Sequence, residues 1–362
     1  MEKELFKEMY NEIRLDREQK NRIWSHLEAE ESVGAGKRFR IPAFATICVC
    51  VILVIGAPVV AANSSVVQSL VRSFDLLNET KSNPTEAQKE IYAKYGSELE
   101  NEIVANNVTL KLEAIISDGH NICIPFSANV EKVKLPDAVM EGIKNGKFLS
   151  VMRAQIPELD FDFKDDGHCF TQCSVFDSRQ QKDGVISGCY LMTTDEREIK
   201  QGDVLQVIDR KKREEEERTG KNQKEIRASS VIDEITIDKV AESRNIPVKT
   251  IQKELPEGAD IYKMQLSPFS FTIEGFFREN AVDTSAFGSG SKLIVELKDG
   301  STVKQAATTG PSIGISEGYH YSTALFETPI NPDDVAGIRM HCDNYNGSFD
   351  LWIPVGGGKE KR

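Results

Sequence analysis

The sequence predicts a mainly β protein with short helices at the N-terminus, one transmembrane helix, and two extracytoplasmic β-sandwich domains. Three observations support this prediction. The first residues place apolar side chains at helical spacing, residues 41–62 form an uncharged apolar run, and the chain beyond residue 106 consists of short alternating segments separated by turn residues. The 362 residues allow two or three domains. We divide them into an arm, a span, a helical stalk and two β domains, at residues 1–40, 41–62, 63–105, 106–243 and 244–362.

The span is long enough to cross a lipid bilayer. It has about 22 residues, or roughly 33 Å of helix, against a hydrocarbon core of about 30 Å. Lys37, Arg38 and Arg40 precede it, and the next charged residue after it is Arg72. Because basic residues favour the cytoplasmic side, we expect the N-terminus in the cytoplasm and the long C-terminal part outside the cell membrane.

Two other interpretations of the span remain open. Val60, Ala61 and Ala62 form an acceptable signal-peptide cleavage site, although the preceding polar region has about 40 residues and the apolar run exceeds the usual 7–15. A buried core helix would also be apolar on every face, but such helices are usually shorter. The apolar run therefore favours a single uncleaved span.

The arm predicts two short helices, each with one apolar face. Helices of this length are marginally stable alone, so the apolar residues are expected to have a partner. They either lie on the inner leaflet, fold back as a hairpin, or bind in the groove of a cytosolic protein. The candidate partner-binding residues are Leu5, Phe6, Met9, Ile13, Ile23, Trp24 and Leu27.

The stalk continues the helical pattern after the span. Residues 63–80 keep apolar side chains at helical spacing, which predicts a helix that lies at the membrane or docks on the domain beyond. Asn83, Pro84 and Glu86 then predict a second helix, with Asn83 as N-cap, proline at the first position and Glu86 at the third. We expect this helix to end near Gly96.

The first β domain opens with a hairpin. Residues 108–116 alternate apolar and polar side chains, Asp118, Gly119 and His120 form a turn, and an apolar strand follows. The charged run 210–224 predicts an exposed loop or a surface helix. Further strands are predicted at 148–156, 159–164, 168–177, 185–194, 203–209 and 231–238.

The second β domain begins beyond a boundary placed near residue 243. Lys298, Asp299, Gly300 and Ser301 predict a hairpin turn within it. Turn signals every 8–12 residues are typical of β-sandwiches. Strands are predicted near 247–252, 261–267, 269–277, 292–297, 302–307, 319–327, 335–342 and 348–355.

Composition excludes some function classes. The formal net charge of −12 argues against a nucleic-acid surface, which needs clustered Lys and Arg. Five cysteines follow the span, and because the number is odd, at least one is unpaired or pairs between chains. Their pairing does not follow from the sequence. They are Cys123, Cys169, Cys173, Cys189 and Cys342.

No catalytic, cofactor or metal site is predicted. Asp160 and Asp162 resemble the start of a calcium loop, but Lys164 occupies a position that needs an oxygen ligand. His168, Cys169 and Cys173 could begin a zinc site, but the two cysteines supply only half of one, so a disulfide or two buried thiols fits them better. The sequence contains no nucleophile motif, phosphate loop or dinucleotide fingerprint. We therefore do not expect an enzyme.

Several segments resemble a known bacterial family. A polar arm, a basic flank, a span ending in APVVAAN and the segment VTLKLEAIISDGHNICIPFS are similar to the DUF4179 family of Gram-positive bacteria. The later segments YKMQLSPFSFTIEG and FETPINPDDVAGIRM resemble the immunoglobulin-like domain of the DUF5643 type that often accompanies it.

This resemblance implies a function in signal transduction. Proteins with this layout are taken to be membrane-anchored, anti-sigma-factor-like regulators, so the resemblance implies a cytoplasmic sigma factor or similar regulator as the partner of the arm. It implies an extracytoplasmic sensing region whose ligand is unknown, and no cofactor. The alternative is a membrane-anchored adhesion or wall-binding protein whose arm has no regulatory role.

Overall fold

The computed structural model describes residues 64–355 with internal gaps, and the predicted arm and span lie outside the described residues. Ser64–Arg362 forms one compact unit. Within the described part of that unit, no helix is long and apolar enough to cross a membrane. The gaps are 79–82, 106–107, 130–148, 152–158, 166–170, 183–184, 195–196, 221, 252–254, 256–258, 278–291, 310–318 and 345–346.

Two helices open the described chain, α1 (Ser65–Asn78) and α2 (Glu86–Tyr95). The N-cap of α2 is Thr85, so the prediction of Asn83 is wrong by two residues. Thr85 forms a capping box with Gln88: the Gln88 amide donates to Thr85 Oγ1 at 3.3 Å, and the Thr85 amide donates to Gln88 Oε1 at 2.9 Å. The helix ends before Gly96, as predicted.

Eight antiparallel strands form the first sheet among the described residues. Their order is β1-β4-β5-β9-β8-β6, and β3 pairs with both β5 and β2. The strands are β1 (Ser97–Glu98), β2 (Glu102–Ala105), β3 (Val108–Leu112), β4 (Ala114–Ser117), β5 (Asn121–Asn129), β6 (Leu149–Val151), β8 (Thr171–Lys182) and β9 (Val185–Thr193).

The stalk predicted at 63–105 is helical only as far as α2. Residues 97–98 and 102–105 belong to the first sheet as β1 and β2. Gly96 ends α2, and the buried side chains of Leu99 and Ile103 then join the core of the first sheet.

A second, three-stranded sheet has the order β11-β10-β7. It comprises β7 (Leu159–Phe163), β10 (Val204–Asp209) and β11 (Val231–Thr236), and the helices α3 (Arg210–Glu217) and α4 (Gln223–Ser230) connect β10 to β11. Helix α3 has no buried residue, which confirms the surface-helix interpretation of this charged run. One apolar core is shared by the first and second sheets, and it includes Leu110, Phe126, Phe161, Tyr190, Leu205 and Ile235.

The third sheet encloses a separate core. Its order is β12-β13-β14-β17-β16-β15-β18-β19, and side chains from both halves meet in one apolar cluster. The strands are β12 (Arg244–Asn245), β13 (Ala259–Leu266), β14 (Ser270–Phe277), β15 (Lys292–Leu297), β16 (Thr302–Thr309), β17 (Tyr319–Phe326), β18 (Val335–Asn344) and β19 (Gly347–Pro354).

One strand prediction in this region is wrong. Val248–Thr250 forms a 3₁₀ turn where a strand was predicted at 247–252. Pro247 precedes the turn and has no amide to donate, and the turn buries Ile246 and Ile251 together.

The fold class is confirmed in its main part: the chain is predominantly β. The last strand of the second sheet ends at Thr236 and the first strand of the third sheet begins at Arg244, close to the boundary placed near residue 243. The division into two domains and the immunoglobulin-like character of the second remain predictions.

Candidate functional site

The residues predicted to bind a partner all lie outside the described residues. This applies to Leu5, Phe6, Met9, Ile13, Ile23, Trp24 and Leu27. Among the described residues, the candidate site is the region where α1 and α2 contact the first and third sheets. We call this region the joint, and define it by the buried cluster Val67, Leu70, Phe74, Leu76, Tyr92, Ala114, Ile116, Cys123, Cys189, Leu191, Ala241, Phe269 and Leu325.

Helix α1 is built into the joint. Its side chains Val67, Leu70, Phe74 and Leu76 are each at most 2% exposed. The helix lies against β4, β5 and β9 of the first sheet and β16 of the third. A 14-residue helix is marginal on its own in water, so these contacts stabilise it.

Gly96 allows α1 and α2 to approach closely. A Cβ atom at this position would lie 2.6 Å from Leu70 Cδ1 and 2.9 Å from Val66 Cγ1, both on α1, and 2.7 Å from the Tyr92 carbonyl oxygen. Any larger residue would therefore push α1 away from α2.

A polar seam attaches α1 to the first sheet. Ser65 Oγ donates to Glu98 Oε1 at 3.1 Å, and Ser69 Oγ donates to Glu113 Oε2 at 2.7 Å. Arg72 forms a salt bridge with the same Glu113 carboxylate. Because the Arg72 and Glu113 side chains are 26% and 17% exposed, water only partly screens this pair.

A groove of about 490 Å³ lies along this seam. Ser65, Gln68, Ser69 and Arg72 form its α1 wall. The opposite wall, from β1 to the residue after β3, carries Glu98, Leu99, Glu100, Glu102, Lys111 and Glu113. The volume is in the range of small-molecule sites, and carboxylates outnumber basic groups.

Phe269 connects the third sheet to both helices. Its ring lies 6.1 Å from Phe74, 6.2 Å from Tyr92 and 6.0 Å from Tyr95, measured between centroids. Phe74 and Tyr92 also meet edge to face at 5.4 Å. Gln88 adds a polar contact by donating to Thr328 Oγ1 at 3.0 Å. The helices are thus held by the third sheet as well as the first.

A buried carboxylate lies beside this aromatic cluster. Asp118, 2% exposed, follows β4. Its Oδ1 accepts hydrogen bonds from the His120 amide at 3.0 Å, the Asn121 amide at 2.8 Å and Asn121 Nδ2 at 3.0 Å. Its Oδ2 accepts from Ser267 Oγ in the β13–β14 turn at 2.7 Å and from Ser270 Oγ at the start of β14 at 2.6 Å. Asp118 therefore links the turn after β4 to the third sheet.

His120 forms a second polar link across the joint. Its Nε2 lies 2.8 Å from Gln265 Oε1 on β13, and its Nδ1 lies 3.2 Å from the Thr194 carbonyl oxygen. The ring meets Tyr321 at 5.6 Å between centroids. His120 is only 4% exposed, and each ring nitrogen lies within hydrogen-bond distance of an oxygen atom of the protein.

Two thiols belong to the buried cluster of the joint. Cys123 on β5 and Cys189 on β9 are buried and free. A hydrogen bond from Cys123, together with burial, raises the pKa of the Cys189 thiol well above its usual value. The side chains of the other cysteines after the span, Cys169, Cys173 and Cys342, lie outside the described part of the chain.

The aspartates considered for calcium have other partners. Asp160 and Asp162 lie on β7, and both form salt bridges with Arg213, while Asp160 also binds Arg210. These contacts hold α3 against the second sheet. No group of three potential metal ligands occurs among the described residues.

Buried tyrosines predict that alkaline conditions destabilise the fold. Burial raises the pKa of the phenols of Tyr92, Tyr190 and Tyr321. Above about pH 10 the unfolded chain releases these protons while the folded chain retains them, so stability present below that pH is lost as the pH rises. We expect Tyr92→Phe to reduce this loss by about 1.4 kcal/mol per pH unit.

Urea unfolding between about pH 9 and 11.5 measures this slope. Tyr262→Phe is the matched control, since Tyr262 is 53% exposed and should leave the slope unchanged. An identical slope in the wild type and Tyr92→Phe would contradict the prediction.

The joint can hold α1 in a fixed position relative to both sheets and release it when those contacts break. The sequence did not single out Asp118 or His120, because an Asp-Gly-His segment between strands is typical of an exposed turn. The available signal was the segment YKMQLSPFSFTIEG, noted for its resemblance, which contains Gln265, Ser267 and Phe269.

Comparison with known proteins supports part of the resemblance. No curated protein matches the chain. A solved structure described as "The crystal structure of the conserved domain protein from Bacillus anthracis" is 15% identical, with a TM-score of 0.38 over 70% of this chain and 80% of that one. The DUF5643-type assignment remains a prediction. Residues 36–129, from the basic flank to the end of β5, match the family described as Domain of unknown function (DUF4179).

Proposed function

We propose that the protein is a single-pass membrane regulator of the anti-sigma-factor type. Its β-rich region lies outside the membrane and responds to a ligand or condition there. The arm at residues 1–40 holds a cytoplasmic sigma factor or a similar regulator. The protein performs no catalytic step in this proposal, and it needs no cofactor.

One observation carries the proposal: the first helix after the predicted span is part of the joint. Ser65 begins α1 three residues after the predicted span ends at residue 62. Residue 62 and Ser65 are separated by three Cα–Cα steps, which reach at most about 11 Å when fully extended. A larger displacement of α1 therefore has to act on the span, which gives a physical route from the sheets to the arm.

The extent of burial supports this route. Docking of α1 depends on contacts with both the first and third sheets, including Phe269 and Glu113. A ligand that separates the sheets, or that enters the groove between α1 and β1, removes contacts that α1 needs. A two-state element biased by a ligand is the minimum requirement for transmembrane coupling.

The experiment is a pull-down of the full-length protein from membranes, combined with genome-wide transcript measurement. We expect a sigma factor in the pull-down, and we expect Phe6→Ala, Met9→Ala and Trp24→Ala together to release it and to raise transcription of its target genes. Asn11→Ala, in the first predicted helix with Phe6 and Met9 but off its apolar face, is the control and should retain the partner.

Two outcomes contradict the proposal. If the membrane-inserted wild-type protein recovers no sigma factor, the proposed cytoplasmic partner is contradicted. Unchanged transcription in the triple variant, together with altered attachment of cells or wall fragments, favours the adhesion alternative.

A further inference from the structure

The joint contains a pair of cysteines, Cys123 and Cys189. Packing of the joint needs small apolar side chains at these positions but does not need thiols. Cys123 lies on β5 and Cys189 on the neighbouring β9. In the antiparallel register Cys123 is opposite Leu191, and Cys189 is opposite Pro125. The two cysteines are offset by two residues, and side chains at such positions point to the same face of a sheet.

The two thiols are in contact. Cys189 shares a hydrogen bond with Cys123, and the side chains are 0% and 4% exposed respectively. Diagonal neighbours in a sheet are typically about 7–8 Å apart, which is beyond the usual Cα–Cα separation of about 4.4–6.8 Å in a disulfide. A bond between these two sulfurs therefore needs a small local movement of β5 or β9.

Helix α1 covers this pair. Ser73 of α1 forms a hydrogen bond with the Cys189 thiol, and its neighbour Phe74 borders, with Cys123, a cavity of about 10 Å³. That space holds about one water molecule, so a disulfide reagent does not fit beside docked α1. Access to the thiols therefore requires α1 to move.

We propose that Cys123 and Cys189 form a redox-active dithiol that is shielded while α1 is docked and closes to a disulfide when α1 lifts from the sheet. The co-reactant is a small-molecule disulfide, such as oxidised glutathione. The inference concerns only α1 and the first sheet, and it holds whether or not the arm binds a sigma factor.

The chemistry is thiol–disulfide exchange. The Cys123 thiolate attacks one sulfur of the small disulfide, which forms a mixed disulfide and releases one small thiolate. The Cys189 thiolate then attacks the Cys123 sulfur and releases the second small thiolate. Two protein thiols are oxidised, one small disulfide is reduced to two thiols, and the two protons pass to the leaving thiolates.

The test treats the full-length protein with oxidised glutathione, then alkylates it and detects the linked Cys123–Cys189 peptide by mass spectrometry. We expect slow cross-linking in the wild type. Gly96→Ala, which pushes Leu70 and Val66 of α1 outward, should accelerate it about tenfold. Gly119→Ala is the matched control, because its Cβ meets nothing closer than 3.5 Å, and its rate should equal that of the wild type.

A second measurement covers the case in which Gly96→Ala does not fold. Wild-type cross-linking is then followed at increasing urea concentrations below the unfolding transition, where the rate should rise as α1 opens. Absence of the linked peptide under all these conditions overturns the proposal, and so does a cross-linking rate independent of both urea and Gly96→Ala. Loss of the sigma-factor partner with normal cross-linking would overturn only the proposed function.

Discussion

Replacing Asp118 with alanine is expected to lower the free energy of unfolding by about 3–4 kcal/mol. The substitution removes the acceptor of five hydrogen bonds, from His120 N, Asn121 N, Asn121 Nδ2, Ser267 Oγ and Ser270 Oγ. A buried donor without an acceptor costs about 1–3 kcal/mol, and water entering the space left by the carboxylate recovers part of the sum. Urea unfolding of the full-length protein measures the loss.

Asp238→Ala is the matched control, since Asp238 is exposed and its removal should change stability by no more than about 0.5 kcal/mol. Asp118→Asn keeps one oxygen acceptor, so its free energy of unfolding should lie between those of Asp118→Ala and Asp238→Ala. If Asp118→Ala unfolded at the same urea concentration as Asp238→Ala, the link between the first and third sheets would not depend on this carboxylate.

Phe269→Ala is expected to cost about 3–5 kcal/mol, because the ring is 3% exposed and packs on three aromatic residues. The loss should be accompanied by faster amide exchange in α1 and α2, since Phe269 is their aromatic contact from the third sheet. Hydrogen exchange and urea unfolding of the same variant measure both effects.

Val104→Ala serves as the control, because Val104 is 70% exposed on β2 and its truncation should cost no more than about 0.5 kcal/mol. A large loss of stability with unchanged exchange in α1 would show that Phe269 supports only the third sheet.

Local patterns predicted most strands, because side-chain alternation and turn residues act over a few positions. Lys298–Ser301 joins β15 to β16 as expected, with Gly300 at a φ of +89° that favours glycine. The β4–β5 hairpin was also predicted correctly. One error falls where two local signals compete: Asn83 and Thr85 are both residue types favoured at N-caps, and Gln88 pairs with Thr85 through its side-chain hydrogen bond.

The joint could not be predicted, because its contacts join distant parts of the chain. Asp118 and Ser267 are 149 residues apart, and His120 and Gln265 are 145 apart. Turn residues such as Asp and Gly are usually exposed, and no pattern in the sequence says that a second sheet covers this turn. The same holds for Cys123 and Cys189, which meet only because β5 pairs with β9.

The polar seam between α1 and the first sheet could not be predicted from the sequence for a related reason. Ser65, Ser69 and Arg72 are polar residues on one side of α1, yet Ser69 is only 9% exposed, and Glu113 accepts hydrogen bonds from both Ser69 and Arg72. Polar residues that bind a partner across a sheet have the same sequence signature as exposed ones. Only the tertiary structure separates the two cases.

Hydrogen exchange of α1 in the full-length protein tests most directly whether this helix is part of the β-rich unit. The account predicts that amides of residues 65–78 exchange as slowly as those of β5 and β9, because opening α1 requires breaking the joint. Exchange of α1 at the rate of an isolated helix, while β5 and β9 stay protected, would contradict it.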